Sequence, residues 1–234
     1  SSLPLSLAGS KTSARISPFK ERAMDMMCDY LDALLDVFCG EGDKNDPSWR
    51  EAVVLGHSFG GNLALHWAAR TAAVVKEGDK TRFHSIYSID GGYINLKRTF
   101  PHWKDCKATL LPPPFDIPFS QLPETLCAWY PNFSRVAINA MLSNFCLLDG
   151  SGSVAILKLA MDDYEDILKN FWDFDSSSSF NKIDSATNVI LLVTGDVLPF
   201  SSNKSEDVRH LSDILTCKVL FLDDDTHNVI LDNP

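Results

Sequence analysis

The sequence predicts an α/β protein: an open, mostly parallel sheet with helices on both faces and one long, mainly helical insertion. Three observations predict it. Short continuous apolar runs recur along the chain, as expected of parallel strands. Helical periodicities separate several of those runs. The sharpest motif, Gly56-His57-Ser58-Phe59-Gly60, stands where one apolar run passes straight into a helical pattern.

The first element is a helix. Ser17-Pro18 supplies a cap and a first-turn proline, and apolar residues then recur at Phe19, Ala23, Met26, Met27, Tyr30, Leu31, Leu34 and Leu35. The pattern stops near Cys39-Gly40, where glycine suits a helix end. Strand-like segments follow at 51–56, 83–90, 188–195 and 217–222. The first and third are apolar enough to be covered on both faces. Helical patterns occupy 62–76, after the first strand, and 205–215, before the last.

Between the second and third strands lies a long insertion, about 92–185. It opens with prolines and aromatics, including Phe100, Pro101, Trp103 and Pro112 to Phe115. It continues with helix-like stretches near 123–148 and 153–174, and placed over the strand ends it would form a lid. We expect one domain over 1–234, with core segments 1–91 and 186–234.

Composition narrows the function classes. Of 234 residues, 45% are hydrophobic, which suits a single soluble core. The formal net charge is −10, so a nucleic-acid or anionic-membrane surface is not expected. There is no apolar run of about 18 residues, so no membrane span is expected. Ser1 to Ser10 do not read as a signal peptide, and the expected location is the cytoplasm. The six cysteines show no C-x-x-C pairing and read as free thiols, with no disulfide framework or zinc site expected.

The chemistry centres on Ser58. A serine between a strand and a helix, flanked by glycines, is presented at the top of a sheet. Gly56 and Gly60 would admit close backbone approach, and Gly60, Ala64 and Ala68 would let the helix lie against the sheet. The helix N-terminus would face a developing oxyanion, with the Phe59 backbone N–H as one donor.

A serine nucleophile needs a base. Of six histidines, His227 follows the last strand, where a loop could reach Ser58. His57 flanks the serine and should point away to pack the elbow. His66 and His84 fall within a helix and a strand, and His102 and His210 in polar or insertion segments. The orienting acid expected first is Asp196, in Thr194-Gly195-Asp196; the alternative is Asp90, in Ile89-Asp90-Gly91-Gly92, also at a strand end. Asp223, Asp224 and Asp225 lie too close to His227 in sequence to be preferred, and a metal site there is the weaker reading.

On Leu55 to Gly61, Ile89 to Tyr93, Val193 to Asp196 and Thr226 to Pro234, the chain resembles the α/β-hydrolase superfamily, in particular its lidded lipase- and esterase-like serine hydrolases. The order Ser58, Asp196, His227 matches the family's triad order. The resemblance implies cleavage of an ester or related acyl bond through an acyl-serine, with no cofactor. It implies a small substrate with an apolar acyl or aryl group; the oligomeric state stays open. Members with an aspartate nucleophile are a poor match because of Ser58. The family's sheet has more strands than the four legible here, and its His-Gly oxyanion segment, which would precede residue 1, has no match. A catalytically incompetent binding protein is therefore the alternative expectation, and a thioesterase a further one.

Overall fold

A computed structural model describes residues 22–39, 52–73, 83–111, 117–129, 131, 133–148, 154–157, 160–174, 180–183, 185–195, 204–222, 227 and 229. The opening Ser17-Pro18 cap and the candidate acid Asp196 lie outside them.

In chain order the elements are α1 (Ala23–Cys39), β1 (Ala52–His57), α2 (Phe59–Ala72) and β2 (Phe83–Ile89). The insertion carries α3 (Leu96–Thr99), α4 (Trp103–Leu110), β3 (Ile117–Pro118), α5 (Leu122–Trp129), α6 (Arg135–Phe145), β4 (Cys146–Leu148), β5 (Val154–Leu157) and α7 (Met161–Asp173). The chain closes with β6 (Asn188–Thr194), α8 (Lys204–Ile214) and β7 (Lys218–Leu222).

The four core strands pair in the order β1-β2-β6-β7, every pair parallel. This is the sheet expected from the sequence. The central strands β2 and β6 are the most buried, with Phe83, Ile86, Ile89, Val189, Leu191 and Val193 all in the core. Helix α2 packs on β1 and β2 through Ala64, Leu65, Trp67 and Ala68. Leu211 and Leu215 join the same core from α8 and the residue just after it.

Three sequence expectations are adjusted. Strand β1 stands at the sheet edge among the described residues, with Val53 58% and Leu55 60% exposed. Its apolar run does not mean cover on both faces, because apolar patterning reports strand character and not position in the sheet. Helix α1 buries Ala23, Met24 and Cys28, whereas Tyr30 and Leu34 of the expected face are exposed. Its apolar arc is wide, and α2 and α7 meet only one side of it. Within the insertion, β3, β5 and β4 form a small antiparallel sheet, and β4 and β5 fall within the stretches 123–148 and 153–174 where helix was expected. Short apolar runs such as Val154 to Leu157 are ambiguous between the two periods.

Candidate active site

Ser58 is the single residue between β1 and α2. It turns the chain with φ 55° and ψ −123°, a backbone region that non-glycine residues enter at a cost of roughly 1–3 kcal/mol. The surroundings hold it there. The Ser58 N–H donates to the Ile89 carbonyl at 2.8 Å, and the Gly61 N–H donates to the Ser58 carbonyl at 2.9 Å.

Two glycines make this turn sterically possible. A Cβ on Gly56 would lie 2.3 Å from the Gly60 carbonyl oxygen, and a Cβ on Gly91 would lie 2.1 Å from the Ser58 carbonyl oxygen. Gly60, expected to serve the same purpose, does not: a Cβ there would meet nothing within 4 Å. The close approach runs toward the Gly60 backbone, so only its partner must lack a side chain. The helical small-residue stripe holds at Ala64 and Ala68, which are buried, while Gly60 itself is half-buried.

Asp90 ends β2 as Ser58 ends β1. Their preceding residues, His57 and Ile89, are paired across the two strands, so both side chains start from the same carboxyl edge. Asp90 also has positive φ, 43°, and its N–H donates to the Leu192 carbonyl at 2.7 Å. Its carboxylate is fully buried (0% exposed) and heavily solvated by protein donors. Oδ1 accepts the Tyr93 hydroxyl, the Lys204 ammonium at 2.7 Å and the Thr194 N–H at 3.3 Å. Oδ2 lies 2.7 Å from His227 Nδ1. Burial works to raise the pKa of this carboxyl. Hydrogen bonds from His227, Lys204 and Tyr93, with the Lys204 charge, outweigh it and hold the group well below the usual carboxylate range.

The proton assignments follow. An ionised carboxylate can only accept, so His227 carries hydrogen on Nδ1 and donates it to Asp90. Neutral imidazole then has a lone pair on Nε2, as a general base requires. His57 Nε2 lies 2.5 Å from the His227 carbonyl oxygen, so His57 is the donor there, and the two rings stand 4.6 Å apart. Burial lowers the pKa of His57, the bond to the His227 carbonyl partly opposing it. His57 therefore does more than pack the elbow: it braces the backbone of the turn that carries His227.

The remaining histidines lie elsewhere. His66 on α2 meets Asp25 at 3.1 Å, and His84, His102 and His210 are exposed. Phe59 opens α2, so its N–H has no acceptor within the helix, and the helix N-terminus lies beside Ser58. Helix α7 of the insertion reaches this turn through Phe171, edge-on to Phe59 at 4.7 Å. Among the described residues, no group of three or more His, Cys, Asp or Glu side chains is placed to hold a metal ion, and no helix is long and apolar enough to cross a membrane.

Three contributors escaped the sequence reading. Asn62, fully buried, donates to the Gly92 and Ile94 carbonyls and accepts the Gly92 N–H, pinning the segment after Asp90 to α2. Tyr93 and Lys204 bond to Asp90. Lys204 did carry a signal: it is a cation at the first residue of a helix, the end where positive charge is disfavoured.

Neither a protein-family model nor a curated protein matches the sequence. Solved structures do match. An E-2-(acetamidomethylene)succinate hydrolase superposes with TM-score 0.65 at 16% identity, covering 94% of this chain and 72% of its own. A peroxisomal α/β-hydrolase of Saccharomyces cerevisiae gives 0.63 at 16% identity, covering 92% of this chain and 57% of its own. A thioesterase domain from the curacin biosynthetic pathway gives 0.59 at 14% identity, covering 90% and 69%. The parallel sheet, the strained serine between strand and helix and these superpositions agree: the chain has the α/β-hydrolase fold.

Proposed function

We propose that the chain is a serine hydrolase that cleaves a carboxylic ester or related acyl bond through an acyl-serine intermediate. The observation that carries this reading is the 2.7 Å contact of His227 Nδ1 with the buried Asp90 carboxylate, at the sheet edge where Ser58 is held at φ 55°. Ser58 is the nucleophile, His227 takes and returns its proton, and Asp90 orients the imidazole and stabilises the imidazolium. The Phe59 N–H and the α2 N-terminus serve the oxyanion. Asp90 is preferred to Asp196 because its carboxylate meets the histidine directly. The aromatic insertion favours an apolar acyl or aryl group on the substrate.

A fluorophosphonate probe tests this without knowledge of the substrate. It should label Ser58 in the wild-type chain and leave Ser58→Ala unlabelled; equal labelling of both removes the nucleophile. Turnover of short-chain nitrophenyl esters against the corresponding thioesters then separates an esterase from a thioesterase. A chain that neither labels nor turns over is the incompetent binding protein instead.

A further inference from the structure

We propose that Lys204 is a positioning residue for the Asp90–His227 pair, fixing one carboxylate oxygen so that the other is presented to His227. The inference rests on the serine-hydrolase reading and extends it to a residue outside the triad.

Lys204 begins α8, where its charge opposes the helix dipole while Glu206 and Asp207 of the same turn complement it. A lysine at such a position has every reason to extend into water. Its side chain is instead only 12% exposed and reaches Asp90, just past β2, and Thr194, at the end of β6. Among the described residues the ammonium there meets Asp90 Oδ1 at 2.7 Å, the Thr194 carbonyl at 2.6 Å and Thr194 Oγ1 at 3.0 Å. Burying a lysine costs free energy that pairing only partly returns, so plain stability is a weak reason for this arrangement.

The geometry suggests a better one. Among the described residues every donor other than His227 falls on Oδ1, namely Tyr93, Lys204 and the Thr194 N–H. Oδ2 faces His227. Lys204 thus ties the carboxylate to the end of β6 and sets its rotation. Its charge also compensates that of Asp90. Among the described residues, the titratable or charged groups facing the pair are Tyr93 beyond β2, Lys204 from α8 and His57 at the end of β1.

The test is the pH dependence of fluorophosphonate labelling, in which the Ser58 oxygen bonds to phosphorus, fluoride leaves and the serine proton passes to His227. Wild type, Lys204→Met and Lys204→Arg are compared, with melting temperatures measured in parallel. Lys204→Met should label at least about tenfold more slowly at neutral pH, and the acid limb of its profile should rise by about one pH unit, because the uncompensated carboxylate favours the imidazolium. Lys204→Arg keeps the cation and should return the acid limb toward wild type. If Lys204→Met does not fold, Lys204→Gln removes the charge while keeping a donor, and the same shift is expected. A neutral variant that melts lower yet labels with the wild-type rate and acid limb overturns the proposal and leaves the hydrolase reading standing. Absence of labelling in the wild type overturns both.

Discussion

Gly60 and Gly91 flank the same serine, and the structure gives alanine at the two positions opposite consequences. A Cβ at Gly91 would sit 2.1 Å from the Ser58 carbonyl oxygen, 2.9 Å from its carbonyl carbon and 3.1 Å from its Cα. All three are backbone atoms, so no rotamer change relieves the clash. The strands must separate, or the elbow must move, by roughly 1 Å, and overpacking of this kind costs about 1–3 kcal/mol. The absence of a side-chain escape puts Gly91→Ala at the upper end, about 3 kcal/mol, which lowers the melting temperature of a domain this size by about 6–12 °C. A displacement of about 1 Å at Ser58 should also slow its labelling by a fluorophosphonate by about a hundredfold. Gly60→Ala meets no atom within 4 Å and lies in the first turn of α2, so it should be neutral or stabilising by up to about 1 kcal/mol. Differential scanning fluorimetry and labelling kinetics on both variants decide the matter. A Gly91→Ala protein that melts and labels like wild type refutes the close packing of Ser58 on the Gly91 segment.

Asp90→Asn should reduce labelling by about 10⁴-fold through loss of the orienting carboxylate, whereas Asp196→Asn should stay near wild type; the reverse pattern transfers the acid role to Asp196. The depressed pKa of Asp90 also links stability to pH. Its contribution is fully present above the unfolded carboxylate pKa, near ~4, and is lost as pH falls from there through the lower folded value. Denaturant titrations at descending pH should therefore show wild type losing stability below about pH 4 more steeply than Asp90→Asn, and parallel slopes would contradict the buried ionised carboxylate. Burial pushes the thiol of Cys28 up to about 12 and that of Cys106 up to about 11. Iodoacetamide at pH 8 should leave both unmodified in the folded chain and alkylate them in guanidinium, as peptide mass spectrometry would show; modification of either in the folded chain would place it nearer solvent.

The parts of this protein that depend on neighbours in sequence were legible from the sequence. Val53 to Gly61 carries a strand, a turn and a small-residue helix in one continuous stretch, and the structure reproduces that order with Ser58 at the turn. The apolar runs at 83–90, 188–195 and 217–222 became β2, β6 and β7 within a residue at each end. Periodicity could do this because strand and helix formation are set by patterns a few residues long. What it could not decide is which groups meet across the sheet. Asp90 and Asp196 both follow strands, and nothing in either local motif says which would meet His227. The parallel pairing of β1, β2 and β6 set the Asp90 backbone between Ser58 and Thr194, and Lys204 then reached it from a helix more than a hundred residues away in sequence. Likewise the sequence marked Gly56 and Gly60 for close approach, but only the path of the backbone shows that Gly56 and the unmarked Gly91 leave no space for a Cβ and that Gly60 does. Ser58 and its local turn belong to the sequence; the Asp90–His227 contact, the His57 brace on the His227 backbone and Lys204 behind Asp90 exist only once the sheet brings distant strand ends to one edge.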